Sequence, residues 1–135
     1  MLSMKAKYAL RALTVLAKSK EEMTQSKVIA REAGVPIKFL ENILQELKRN
    51  HLVESKRGVF GGYYLAKPAK DITVAELMRI IDGPLAPVRC ASLSAYQKCD
   101  DCKDERACTI RKTMKKVRDA MSEVLDHTSI LDMAG

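Results

Sequence analysis

No apolar run in the sequence approaches the roughly 20 residues that cross a bilayer, so no membrane-spanning helix and no membrane partner are expected. The N-terminus carries lysines without a sustained apolar stretch behind them, so no secretory leader is expected and the chain is read as cytoplasmic. Internal repeats and low-complexity tracts are missing. Only two histidines occur, His51 in a turn and His127 near a helix end, and neither has a cysteine partner visible in the sequence. No thioredoxin-like βαβ pattern surrounds the C-x2-C pair, which argues against a thiol oxidoreductase and against an enzyme altogether. What is present is 135 residues, 47% hydrophobic and 30% charged, which suits one compact domain or one small domain with an appended segment.

The net charge of +7 is placed unevenly. Residues 1–82 hold 15 basic against 9 acidic side chains, whereas residues 83–135 hold 9 against 8. The basic surplus therefore lies in the first part of the chain, where a polyanion would be met.

Periodicity divides that first part into helices. Residues 4–18 place Ala6, Ala9, Leu10, Leu13, Leu16 and Ala17 on one helical face. Thr24 is a candidate cap for a second helix that turns Val28, Ile29 and Ala33 inward and stops at Gly34. Pro36 suits the first turn of a third, with Leu40, Ile43, Leu44 and Leu47 buried. Two short helices joined by a tight glycine-containing turn form a helix-turn-helix. Strands at Leu52–Ser55 and Tyr63–Ala66 then flank the glycine-rich stretch Lys56–Gly62, giving a hairpin wing. Thr73 and Glu76 make a capping box for a helix over Val74, Leu77, Ile80 and Ile81, closed by Gly83-Pro84. From about Cys108 to Asp126 a long helix spaces Ile110, Met114, Val117, Met121 and Val124 by 4, 3, 4 and 3 residues. That heptad seam calls for a partner helix, and dimerisation is favoured over packing on its own domain. The expected fold is mainly α, a winged helix-turn-helix with a short β-hairpin wing and a long C-terminal dimerisation helix. Its parts are a DNA-binding domain over 1–83, a cysteine-rich sensor loop over 84–108, and the dimerisation helix and tail over 109–135.

With its apolar side buried, the third helix presents Lys38, Phe39, Glu41, Asn42 and Gln45 to the major groove of double-stranded DNA. Asn42 and Gln45 suit bidentate pairing with adenine, and Lys38 suits guanine or phosphate. Phe39 suits a thymine methyl or a place over the core, and Glu41 suits cytosine N4 or the orientation of a neighbour. Lys48 and Arg49 are read as phosphate contacts or solvated. Lys56, Arg57 and Gly58 lie at the wing, where an arginine on a glycine-rich tip suits a narrow minor groove. Gly58, Gly61 and Gly62 are also read as turn positions with positive φ.

All four cysteines, Cys90, Cys99, Cys102 and Cys108, fall within 19 residues in the order C-x8-C-x2-C-x5-C. In a cytoplasmic chain such thiols are not expected to be disulfide staples. A C-x2-C pair lets two sulfurs face one centre, and the other two complete a four-thiolate metal-binding set that zinc or an iron–sulfur cluster accepts. A cluster-free thiol/disulfide switch, most easily between Cys99 and Cys102, is the other reading.

Several segments together are similar to the IscR/NsrR-type family of bacterial winged-helix regulators. They are Lys5-Ala6-Lys7-Tyr8-Ala9-Leu10-Arg11-Ala12-Leu13, Phe39-Leu40-Glu41, Ser55-Lys56-Arg57-Gly58 with Gly61-Gly62-Tyr63, and Ile72-Thr73-Val74-Ala75-Glu76. The cysteine loop before a long last helix belongs to the same resemblance, which covers nearly the whole chain. It implies a homodimeric transcription regulator, a repressor by expectation, on a pseudo-palindromic operator. It further implies a [2Fe–2S] or [4Fe–4S] cluster sensing redox state, nitric oxide or iron–sulfur status. By that pattern Cys90, Cys102 and Cys108 resemble the family ligands, and Lys38, Phe39, Glu41 and Arg57 resemble its DNA contacts. Arg111 stands where IscR-like members carry a histidine, no acidic residue precedes Glu21 where NsrR-like members carry an aspartate, and Val59 replaces a common wing proline. Cys99 is accordingly the candidate fourth ligand.

Overall fold

The computed structural model describes residues 2–135. Helix α1 (Met4–Lys18) opens at Ser3, whose side chain accepts from the Ala6 amide, and buries Ala6, Ala9, Leu10, Ala12, Leu13, Val15 and Leu16. Helix α2 (Ser26–Ala33) ends at Gly34, where φ is +66° and a side chain would be strained. Helix α3 (Ile37–Arg49) follows Pro36 and buries the expected Leu40, Ile43, Leu44 and Leu47.

Thr24 does not cap α2. Its backbone exchanges two hydrogen bonds with Tyr63, at 2.8 and 2.9 Å, as an isolated antiparallel bridge. Its hydroxyl meets that of Ser19, and Gln25 takes the cap position without a side-chain hydrogen bond. The demand of the wing for a backbone partner outweighs the capping preference of threonine. Val28 is only half-buried, so Ile29, Ala30 and Ala33 anchor the helix.

Strands β1 (Val53–Lys56) and β2 (Gly62–Leu65) pair antiparallel from Val53↔Leu65 to Lys56↔Gly62. Both are displaced one residue toward the tip from the sequence expectation. The cause is Leu52, whose amide is taken by the Leu47 carbonyl and so finishes α3 before the strand begins. Helix α4 (Val74–Asp82) starts at Thr73, whose hydroxyl accepts from the Glu76 amide at 3.1 Å. The reciprocal half of the capping box is not made, because the Glu76 carboxylate accepts from Lys67 instead.

One 3-10 turn, Arg89–Ala91, interrupts the segment after α4, and Cys108 caps helix α5 (Thr109–Leu125) with its sulfur facing the Arg111 amide at 3.4 Å. The short α6 (Ile130–Met133) returns to the body, where Ile130 is fully buried and its amide bonds the Ile72 carbonyl at 2.8 Å. The core thus lies between α1, α2, α3, the hairpin base, α4 and Ile130, while no residue of α5 is buried. The chain is mainly helical with one two-stranded hairpin, a winged helix-turn-helix. No described helix is long and apolar enough to cross a membrane.

Candidate nucleic-acid interface and cysteine cleft

Burial of one side of α3 fixes what the other side presents. Lys38, Phe39, Glu41, Asn42 and Gln45 are all exposed, and Phe39, at 57%, is not a core residue. Two clefts divide them. Phe39 and Asn42 border the first with Met4, Lys5 and Tyr8 of α1. Gln45 borders the second with Lys48, the wing residues Lys56, Arg57 and Gly58, and the start of α2 at Gln25, Ser26 and Lys27. Lys38 and Glu41 line neither.

Two side chains tie this surface together. Lys48, itself exposed, donates to the Ser55 hydroxyl at 2.7 Å and so braces α3 against β1. Gln25 donates to the Val59 carbonyl at 3.3 Å and joins α2 to the wing tip. Of the three tip glycines expected at positive φ, Gly58 (+114°) and Gly62 (+157°) have it and Gly61 does not. Gly61 is required by proximity, since a Cβ there would sit 2.1 Å from the Lys56 carbonyl oxygen. Val59 and Phe60 at the tip are 82% and 91% exposed.

Sequence reasoning did not pick out Lys5, Tyr8, Gln25, Ser26 or Lys27. A visible signal existed for the last three, because the first turn of α2 has no acidic residue and its leading amides are available to a phosphate. Nothing in the sequence pointed Lys5 and Tyr8 toward α3.

All four cysteines border one cleft of about 460 Å³ at the start of α5, together with Val88, Lys103 and Arg111. Cys90 is buried, Cys102 and Cys108 are half-buried, and Cys99 is exposed. Among the described residues no three Cys, His, Asp or Glu side chains converge on one point. Hydrogen bonding with Cys90, and after it the charge of that thiol, push the Cys99 thiol above its ordinary value.

Arginines of α5 fasten this region. Arg111 Nε donates to the Cys90 carbonyl at 3.0 Å, lies 3.6 Å from the Glu105 carboxylate, and stands over the Tyr96 ring. Arg118 donates to the Ala91 carbonyl at 2.6 Å. The Tyr96 hydroxyl donates to Glu105, which holds the phenol above its ordinary pKa. Along the seam of α5, Ile110, Val117 and Val124 are 66%, 39% and 62% exposed, with Met114 and Met121 half-buried.

A family profile described as Rrf2, iron-dependent transcriptional regulator, matches residues 2–135. An rrf2-like HTH-type transcriptional regulator of Rhodobacter capsulatus is 44% identical over 137 residues, covering 98% of this chain and 91% of that protein. The transcriptional regulator IscR of Photorhabdus laumondii is 32% identical over 138 residues, covering 99% and 84%. Among solved structures, CymR, the global cysteine regulator of Bacillus subtilis, superposes with a TM-score of 0.81 at 33% identity over 99% of this chain and 95% of that one. IscR of T. potens gives 0.77 at 28% identity over 98% and 85%.

Proposed function

The chain belongs to the Rrf2 family of transcriptional regulators, and from that premise we propose that it is a homodimeric DNA-binding switch whose signal is received at the cysteine cleft. It is a regulator, not an enzyme, and its partner is DNA. The finer assignments are ours. Asn42, Gln45 and Lys38 read bases in the major groove, with Phe39 against a thymine methyl and Glu41 orienting its neighbours. Arg57, with Lys56 and Gly58, enters the minor groove. The exposed α5 seam pairs with that of a second copy, which sets two recognition helices one turn apart on a pseudo-palindromic site.

The observation that carries the sensing role is that all four thiols border the same cleft at the start of α5. Soft thiol donors suit an iron–sulfur cluster, which Cys90, Cys102 and Cys108, with Cys99 as the fourth, would hold once drawn together, since they border one cleft without converging. A cluster held there supplies a centre that responds to oxidants, nitric oxide or iron–sulfur status. Lys103 and Arg111, bordering the cleft, would offset the negative charge of thiolates that ligate a cluster there. A thiol/disulfide switch, most easily between Cys99 and Cys102, is the second reading, favoured by the turn in which the Cys102 amide donates to the Cys99 carbonyl at 3.2 Å.

Anaerobic purification followed by iron, sulfide and zinc analysis with a visible spectrum separates these readings. Iron with sulfide and a brown colour is the expected result. Stoichiometric zinc in a colourless protein makes the site structural, and a metal-free protein leaves the thiol switch. Operator binding by reconstituted and cluster-free protein at equal salt then tests the switch; identical affinities refute it.

A further inference from the structure

The 3-10 turn Arg89–Ala91 is attached to α5 by two arginines one heptad apart. Arg111 holds the Cys90 carbonyl and Arg118 holds the neighbouring Ala91 carbonyl. Both guanidinium groups are largely covered, with side-chain exposures of 21% and 13%. The chain between this turn and α5, residues 92–108, contains no helix or strand and is mostly exposed, so it transmits little force by itself. Charge-assisted bonds from a planar, always protonated group to backbone carbonyls are by contrast short and directional.

We propose that Arg111 and Arg118 are positioning residues that clamp the Cys90 turn to α5, so that a change at the thiols reaches the helix through these two side chains rather than along the intervening loop. The clamp acts on backbone atoms, so it leaves the Cys90 sulfur facing the cleft. Arg111 also carries the second half of the loop with it through Glu105, itself bonded to Tyr96. Arg118 has a lesser exposed partner in Asp119 and is the cleaner residue to alter. This inference rests on the reading of the cleft as the sensor, and its test is divided accordingly.

The first measurement needs no cluster. In the reduced, chelator-treated full-length protein, iodoacetamide labelling is followed cysteine by cysteine by mass spectrometry. Arg118→Met and Arg111→Met/Arg118→Met are expected to label Cys90 at least about ten-fold faster than the unaltered chain, with the exposed Cys99 unchanged. Arg118→Lys, which keeps one donor, is expected to fall between, and it guards against a folding defect in the methionine variants. An unchanged Cys90 rate overturns the clamp. The second measurement is the ratio of operator affinities with and without the cluster. Arg118→Met is expected to bring that ratio to within about two-fold of one while the cluster-free affinity stays put; a preserved ratio overturns the coupling. Should the unaltered chain itself show a ratio of one, the sensor reading fails, and the labelling result still decides whether the clamp exists.

Discussion

Arg79 on α4 grips Asp126, just past the end of α5, with two hydrogen bonds of 2.7 and 3.2 Å between guanidinium and carboxylate. This fork joins the last helix of the DNA-binding body to the helix that carries the apolar seam. The Arg79 hydrogen bond, and after it the charges of Arg79 and His127, hold the Asp126 carboxyl below its ordinary pKa, and the same bond raises Arg79. The side chains are 44% and 37% exposed, so water limits the pair to no more than about 1 kcal/mol.

The sign of the pH effect follows from the lowered carboxyl. The unfolded chain binds the proton more readily, so the contribution is complete above about pH 4 and is lost as pH falls through the folded value. Asp126→Asn is expected to lower stability modestly at pH 7 and by less at pH 3. Urea denaturation at the two pH values is the check, and an equal deficit at both argues against the pair.

Base reading and phosphate holding differ in what salt and sequence do to them. Arg57→Ala is expected to cost about 1–3 kcal/mol on the operator and to relax preference at one position. Lys27→Ala is expected to weaken binding to every duplex alike and to reduce the salt slope by about 1. Anisotropy titrations on operator and random duplex over a salt series separate the two. An equal loss for Arg57→Ala on both duplexes argues against its reading the minor groove of the operator.

Gly61 is a prediction about the wing alone. A methyl there meets the Lys56 carbonyl oxygen at a distance no real side chain tolerates. Gly61→Ala is therefore expected to open the hairpin tip, speed amide exchange at Lys56 and Gly62, and weaken DNA binding while α1 to α4 stay folded. Unchanged exchange at those amides contradicts the tip geometry.

For the dimer, the informative change is a charge in the exposed seam. Val117→Lys contacts nothing in the core of its own chain, so helicity is expected to persist while sedimentation equilibrium shows a monomer. Operator affinity is expected to fall with it, since one recognition helix then acts alone. A dimer that survives Val117→Lys places the interface elsewhere.

The sequence by itself determined the helices and their inner faces. Leu40, Ile43, Leu44 and Leu47 recur at the helical period, Gly34 marks a left-handed end, and Val117 and Val124 continue a heptad, because these patterns reside in side chains close together along the chain. It also determined where the basic residues and the four thiols lie along the chain, and the family match followed from the same local motifs. Only the tertiary structure decided the long-range backbone pairings. Thr24 leaves its cap to pair with Tyr63, Ile130 returns to Ile72, and Cys90 and Ala91 hang from Arg111 and Arg118. Such bonds use amides and carbonyls that every residue possesses, so no letter of the sequence announces them; they are chosen when packing brings two unpaired backbone groups, or an arginine and a carbonyl, to the same place.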